Sequence, residues 1–435
     1  MKGSFLMNEQ VYDVIGIGIG PFNLGLAALI EPVEEISAVF FDKEEKFEWH
    51  PGMLIDGTDL QVPFLADLVT FADPTSPYTF LNYIHKQKRM YPFFYFNRFD
   101  IPRQEYNEYA KWVEAQLKSC HFQHEVVDVK NHEYGYEVTV KQTKSNKEEL
   151  FYAKHVVLGT GAVPFVPKGL KHSLGNDVVH SSSYLQHKEH LQQGHHITVV
   201  GSGQSAAEIF YDLLKNQPTY GYHLSWFTRS SNFQQLDQSK LAQELFSPDY
   251  VQHFHDLPFK ERIQALEDLN PLRNGIEAST LQHIYDLMYH RSIQGEVPVT
   301  IRASIEVEGI TNEGGYHLHC RQKQTNKKFA YETDRVVLAT GYKPHLPKWM
   351  GKFHNEIEWE DDKRFKVMKD YRLQFKTPRD HYMFTLTNIE HSHGSSATNL
   401  GLSVQRNQCI VNTIAGKEIY PGSFNTTFQQ FDLPE

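Results

Sequence analysis

The chain has 435 residues, enough for two full hydrophobic cores, and its 40% hydrophobic and 22% charged content is that of an ordinary soluble protein. A formal net charge of -10 leaves no basic excess to displace counterions, so neither nucleic acid nor an anionic membrane is an expected partner. Cys120, Cys320 and Cys409 form no C-x-x-C pair, which disfavours a disulfide framework and a short-motif redox dithiol.

Met1 to Gln10 lacks the basic-then-apolar pattern of a signal peptide, and a cytoplasmic location is expected. Val11 to Ile17 reads as a buried parallel strand. It runs into Gly18-Ile19-Gly20-Pro21-Phe22-Asn23 and an apolar-faced helix from Leu24 to Leu29. Ala38 to Phe41 is a second strand, ending at Asp42. In this β-α-β unit Gly18 permits the tight turn, and Gly20 lets the backbone approach a pyrophosphate at the helix N-terminus. Pro21 sits inside the loop, and Asn23 replaces the usual third glycine. Asp42 stands where a carboxylate accepts hydrogen bonds from an unphosphorylated ribose. The N-terminal place of this site points to FAD.

Tyr106 to Leu117 is patterned as a helix, and Tyr136–Lys141 and Leu150–Ala153 as antiparallel strands about Ser145-Asn146. The strand His155-Val156-Val157-Leu158 ends in Gly159-Thr160-Gly161, a design repeated by Arg335 to Gly341. Between them, His196 to Val200 feeds a second fingerprint, Gly201-Ser202-Gly203-Gln204-Ser205-Ala206, and a helix from Ala206 to Leu214. Its second strand, Leu224 to Thr228, ends in Arg229-Ser230-Ser231 with no acid. An arginine and hydroxyls suit a ribose 2′-phosphate, favouring NADPH over NADH; the plainer alternative is a solvated surface arginine.

Lys240 to Gln294 is rich in helical pattern and polar residues, and Pro421 onward is a polar tail. The expected fold class is α/β, with two dinucleotide-binding, Rossmann-like domains and a small helical substrate-binding insertion. Residues 1–170 form the first part of the FAD domain, 171–350 the NADPH domain with the insertion at 240–295, and 380–435 return to the FAD domain. The histidines around Gly194 and in His391-Ser392-His393 lack the ligand convergence of a zinc site, so no metal is expected. The aromatic run Tyr91 to Phe96 suits either a tunnel lining or a subunit interface.

A flavoprotein with two nucleotide sites can reduce a disulfide, a quinone or dioxygen, and the cysteine spacing disfavours the first. The chain resembles the N-hydroxylating flavin monooxygenases, microbial enzymes that hydroxylate lysine, ornithine or diamines in hydroxamate siderophore synthesis. The resemblance spans nearly the whole chain. It is carried by Gly18 to Leu24, Trp49-His50-Pro51-Gly52-Met53, Leu60 to Leu68 and Asp73 to Tyr83. It continues through Gly201 to Ala206, Asp334 to Pro347 with Leu338-Ala339-Thr340-Gly341-Tyr342 at its centre, His393-Gly394 and Asn399-Leu400.

The resemblance implies that NADPH reduces FAD, that dioxygen adds to it, and that the C4a-hydroperoxide passes its distal oxygen to a neutral primary amine. It implies a homotetramer. It places Trp49, His50, Met53 and Gln61 around the flavin, Gln204 and Ser205 at the nicotinamide nucleotide with Arg229 and Ser230, and Tyr342, Asn399 and Leu400 in cofactor-binding segments. Gln61 and Asn274 are its candidate catalytic and substrate residues, although Asn274 equally suits a turn or helix cap.

One departure bears on the substrate. Lysine and ornithine hydroxylases typically carry a lysine at the position of Ala66, where it can pair with the substrate α-carboxylate. Ala66 cannot, and a buried unpaired carboxylate is costly. The expected substrate is therefore a diamine, putrescine ahead of cadaverine, with Glu277 and Glu390 as candidate partners of its remote ammonium. The alternatives are a lysine or ornithine side-chain monooxygenase using an arginine elsewhere, and a Baeyer-Villiger or sulfide-oxidising enzyme. Against the latter, His180 to Tyr184 keeps only the tail of the F-x-G-x-x-x-H segment. A flavin-bound sensor without turnover is disfavoured by the complete second fingerprint.

Overall fold

The computed structural model describes residues 10–432; Met1 to Glu9, read above as lacking a signal pattern, lie outside the described residues. Two sheets organise the chain. In the first, Cys120–His121, Ala38–Phe41, Val11–Ile17, Glu148–Leu158, Gly135–Gln142 and His124–His132 lie in that order. Met383–Thr385 adds in parallel beside Glu148–Leu158. Val11–Ile17 is parallel to both its neighbours, and Val14 and Ile15 are fully buried, as its nearly continuous apolar run requires.

The second sheet is wholly parallel, in the order Val178–His180, Arg335–Leu338, His196–Val200, His223–Phe227 and Val299–Arg302. Each half also carries an antiparallel three-stranded element. In the first half it is built into the main sheet (124–158); in the second it stands apart, as Ile305–Asn312, Tyr316–Gln322 and Lys327–Thr333. The α/β class with two Rossmann-like halves is thus present.

The chain crosses between the halves twice. The crossings pair with each other as short antiparallel strands, Ala162–Pro164 with Tyr342–Pro344. Thr160 Oγ1 donates to the His345 carbonyl at 2.6 Å, and Thr340 Oγ1 donates to the Phe165 carbonyl at 2.5 Å. The two Thr-Gly turns therefore hold each other's outgoing strand.

Helices Lys240–Gln243, Pro248–Asp256, Phe259–Asp268 and Ala278–Ser292 make up the polar segment that follows the second glycine turn. Helix Gly401–Ala415 lies against helix Pro21–Ile30. There Asn407 Nδ2 donates to the Phe22 carbonyl at 2.9 Å, and Tyr420 donates its hydroxyl to the Leu29 carbonyl at 2.8 Å. Beyond Tyr420 the chain runs on to the helical segment. The Asp249 carboxylate accepts the Asn425 and Thr426 amides, that of Glu244 accepts those of Phe428 and Gln429, and Phe431 packs edge-on to Tyr250. The polar tail thus lies on the helical segment, because its backbone amides find carboxylates there.

No helix among the described residues is long and apolar enough to cross a membrane. The run Tyr91 to Phe96 forms most of an exposed helix, Met90–Phe96, and its Tyr91, Phe94 and Tyr95 face outward.

Candidate active site

The two glycine turns are built alike. Gly18 takes a left-handed φ of +87°, and a Cβ there would stand 2.5 Å from the Gly159 carbonyl oxygen. At Gly201 the same atom would stand 2.3 Å from the Ala339 carbonyl oxygen. The first glycine of each turn is therefore fixed by the crossover turn behind it. The second has the opposite surroundings: a Cβ on Gly20 or Gly203 would meet no atom within 4 Å. Both open onto a helix N-terminus, Pro21–Ile30 and Gln204–Tyr220, where free amides favour phosphate. The two cradles fit the pyrophosphates of two dinucleotides.

Pro21 occupies the first helical turn, where its missing N–H costs nothing. Asn23 is fully buried and its Nδ2 donates to the Gly18 carbonyl at 2.7 Å, so this side chain shapes the first turn from beneath. Asp42 Oδ2 accepts the Ile19 amide at 2.6 Å, which brings the carboxylate against the same turn. In the second half, Arg229 is exposed and has no side-chain partner among the described residues; with Ser230 it lines a cleft of about 600 Å³ that also contains Gly201, Gly203, Gln204 and Ser205.

A second cavity, of about 480 Å³, adjoins this cleft. Trp49, His50, Met53 and Gln61 line it from the first half, Gln204 and Ser205 from the second glycine turn, Asn274 from the helical segment, and Tyr342, Asn399 and Leu400 from the returning chain. Gln61, Gln204, Ser205, Asn274 and Tyr342 face both spaces. The Trp-His-Pro-Gly-Met segment reaches across the halves. A Cβ on Gly52 would overlap the Ser182 carbonyl, and Met53 packs into the second half's core. The Tyr342 ring sits edge-on to both His50 and His180.

Gln204 is held at three points: its Nε2 donates to Glu208 and Thr280, each at 3.0 Å, and its carbonyl accepts the Glu277 amide at 2.9 Å. This fixes the amide orientation at the mouth of the second cradle. Asn274 serves in a turn as well as lining the cavity, since its backbone amide donates to the Asn270 carbonyl at 2.9 Å. Ala66 is buried and does not line the cavity. It sits behind the wall, against Gly401, next to Asn399 and Leu400.

Sequence reasoning missed the charges of this cavity. Arg103 and Arg273 both line it, and each is taken by a carboxylate. Arg103 donates to both Glu208 oxygens, at 2.7 and 2.9 Å. Arg273 donates to both Glu390 oxygens, one at 3.1 Å. Burial, with Glu208 nearby, raises the Glu277 carboxyl above its ordinary range, and a hydrogen bond from Gln61 partly offsets that. Of the two candidate ammonium partners, Glu390 is thus committed to Arg273 and Glu277 is engaged by Gln61. No local motif announces either arginine; only the fold brings them to one wall. Among the described residues no group of three His, Cys, Asp or Glu is placed to hold a metal ion, and His190 pairs with Asp177 at 2.7 Å.

The family model for L-lysine 6-monooxygenase/L-ornithine 5-monooxygenase matches residues 10–344. The chain belongs to this family. It is 39% identical to the putrescine N-hydroxylase of Shewanella oneidensis over 98% of this chain and 85% of that protein. It resembles the FAD-bound cadaverine monooxygenase of the desferrioxamine pathway from Erwinia amylovora with a TM-score of 0.93 and 37% identity, covering 98% of this chain and 100% of that one. The ornithine N-hydroxylase of Kutzneria sp. 744, solved with reduced FAD, NADP+ and L-ornithine, superposes with a TM-score of 0.87 at 26% identity, over 94% of this chain and 99% of that one. The likeness read from the motifs is therefore membership, and the monooxygenase fold runs through both sheets and the helical segment.

Proposed function

We propose that the protein N-hydroxylates one primary amine of a short aliphatic diamine, putrescine ahead of cadaverine, for hydroxamate siderophore biosynthesis. FAD occupies the first cradle, with Asp42 at its ribose, and NADPH the second, with Arg229 and Ser230 at its 2′-phosphate. The observation that carries the substrate choice is that both arginines facing the cavity are neutralised by carboxylates, leaving no free cation for an α-carboxylate. The similarity to the putrescine and cadaverine enzymes supports the same reading.

When bound, the flavin supplies the activation of dioxygen: one oxygen goes to nitrogen, the other leaves as water, and NADPH provides the electron pair. The chain's own residues bind, orient and exclude water. An alkylamine with a pKa near 10.4 costs roughly 4.6 kcal/mol to deprotonate at pH 7, and a desolvated wall of Trp49, Met53 and Leu400 reduces that cost. Gln61, which faces both spaces and can donate and accept, holds the reacting nitrogen between cofactor and cavity. Asn274 contacts the substrate from the helical segment.

The domain limits carried with this reading are 1–170, 171–350 and 380–435. A homotetramer in the cytoplasm completes it, the latter supported by three free thiols. The deciding experiment is a product assay by mass detection with NADPH, air and putrescine, cadaverine, lysine or ornithine. Hydroxylated diamine as the main product is expected. Hydroxylated lysine or ornithine would overturn the substrate choice, and oxygenation of a sulfide or ketone alone would overturn the reaction.

A further inference from the structure

The cavity that holds Gln61 and Asn274 has an electrostatic balance that nothing in the local sequence announces. Its lining includes two guanidinium groups, and each has its own bidentate carboxylate. The two pairs differ in setting. Arg103 and Glu208 are both largely buried, 11% and 4% exposed, and tie the first half to the second glycine helix. Arg273 and Glu390 are 20% and 40% exposed, and join the helical segment to the start of the short helix Glu390–His393. Arg273 lines both the cavity and the neighbouring nucleotide cleft. Glu390 has no other cation within ion-pair distance among the described residues, and Arg273 no other carboxylate.

An unpaired guanidinium on this wall would act twice. It would attract an α-carboxylate through a bidentate geometry, and it would repel an alkylammonium. With Glu390 in place it does neither. We infer that Glu390, acting through Arg273, is the specificity-determining group that keeps the cavity open to a dicationic amine and closed to an amino acid. This inference rests on the diamine reading above and deepens it. Glu208 masks the more buried guanidinium, Arg103, and Glu390 masks the more exposed one, Arg273. Glu390 is a positioning residue here, because its effect runs through the arginine it holds.

The test compares four proteins: wild type, Glu390→Gln, Glu390→Asp, and the double variant Glu390→Gln with Arg273→Gln. Each is assayed for hydroxylamine product with putrescine, cadaverine, lysine and ornithine, and the diamines are also titrated calorimetrically. Glu390→Gln is expected to raise KM and Kd for putrescine about tenfold, with the loss falling on KM more than on kcat. The ratio of lysine or ornithine product to diamine product should rise in parallel. Glu390→Asp should recover most of the diamine affinity by restoring the charge. The double variant should regain diamine preference although it lacks the ion pair, a result that a merely structural role cannot give. Unchanged KM and product ratio in Glu390→Gln overturn the inference, as does a double variant as impaired as the single. Should wild type itself prefer lysine or ornithine, the diamine reading fails; if it prefers diamines while the variants behave alike, only the role of Glu390 fails.

Discussion

The two halves solve one problem with different residues, and the differences are linked. In each, the first glycine of the turn abuts the carbonyl of the crossover turn: Gly18 against Gly159, Gly201 against Ala339. Where the third glycine of the fingerprint is expected, the first half has Asn23 and the second has Ala206. A Cβ on Gly159 would come within 2.3 Å of Asn23 Nδ2, so the asparagine and the extra glycine require one another. The small Ala206 makes no such demand, and Ala339 stands in the corresponding place. The pair in the first half replaces helix-strand closeness with a hydrogen bond from Asn23 to the turn. After the second strand the halves diverge in charge, Asp42 against Arg229.

The largest effect expected from breaking this comparison comes from filling the cradles. Gly20→Val should yield a folded protein that retains almost no flavin. Gly203→Val should remain yellow yet lose kcat/KM for NADPH by about 100-fold or more. Flavin absorbance and stopped-flow reduction check both, and equal loss of flavin in the two variants would refute the assignment of cradles. A smaller effect is expected at the ribose. Arg229→Ala should raise KM for NADPH about 30-fold and leave that for NADH within about twofold. A parallel rise for both nucleotides in steady-state assays would remove the 2′-phosphate from this site.

The smallest difference lies in acid stability. His155, within strand Glu148–Leu158, and Arg335, at the start of strand Arg335–Leu338, each stand three residues before the strand's last leucine, and both lie opposite the central strand of their sheet. Arg335 pairs with Asp177 at 3.2 Å, whereas His155 is buried, stacks on Tyr382 and accepts the Tyr382 amide on Nδ1 at 2.9 Å. Burial pushes the His155 imidazole down to about 3. The unfolded chain therefore takes up a proton that the folded one refuses, so stability is full above the unfolded pKa and is lost as pH falls toward about 3. Between about pH 6.5 and 5.5 this amounts to about 1 kcal/mol. His155→Phe should flatten that part of the curve in chemical denaturation at several pH values; an unchanged slope would sink the argument.

Much of this was legible in sequence because it is local. Strand, glycine turn, helix and second strand are contiguous in each half, so Gly18, Gly20, Asp42, Gly201, Gly203 and Arg229 could be read by spacing alone. The Trp49 to Met53 segment and Asn399-Leu400 carry no such local reason and became visible only through the family likeness. Arg103, Arg273 and Glu208 were invisible, and Glu390 was named only as a partner for the substrate's ammonium, not for an arginine. Their meaning lies in pairing across 105 and 117 residues of chain, which neither periodicity nor motif records. Asn23 was visible as a departure, but its cause, the collision with position 159, needed coordinates. The docking of the tail could not be read, because it depends on backbone amides meeting Asp249 and Glu244, a contact to which side-chain pattern is blind.

The reciprocal threonine bonds at the two crossings bear on how the halves can move. Two covalent tethers lying side by side in register resist sliding and shear, since either would break the ladder between 162–164 and 342–344. Torsion about that seam leaves the ladder intact. Like pages bound along one spine, the two nucleotide-binding halves share a single seam, so whatever sets its register sets how the two cradles face each other.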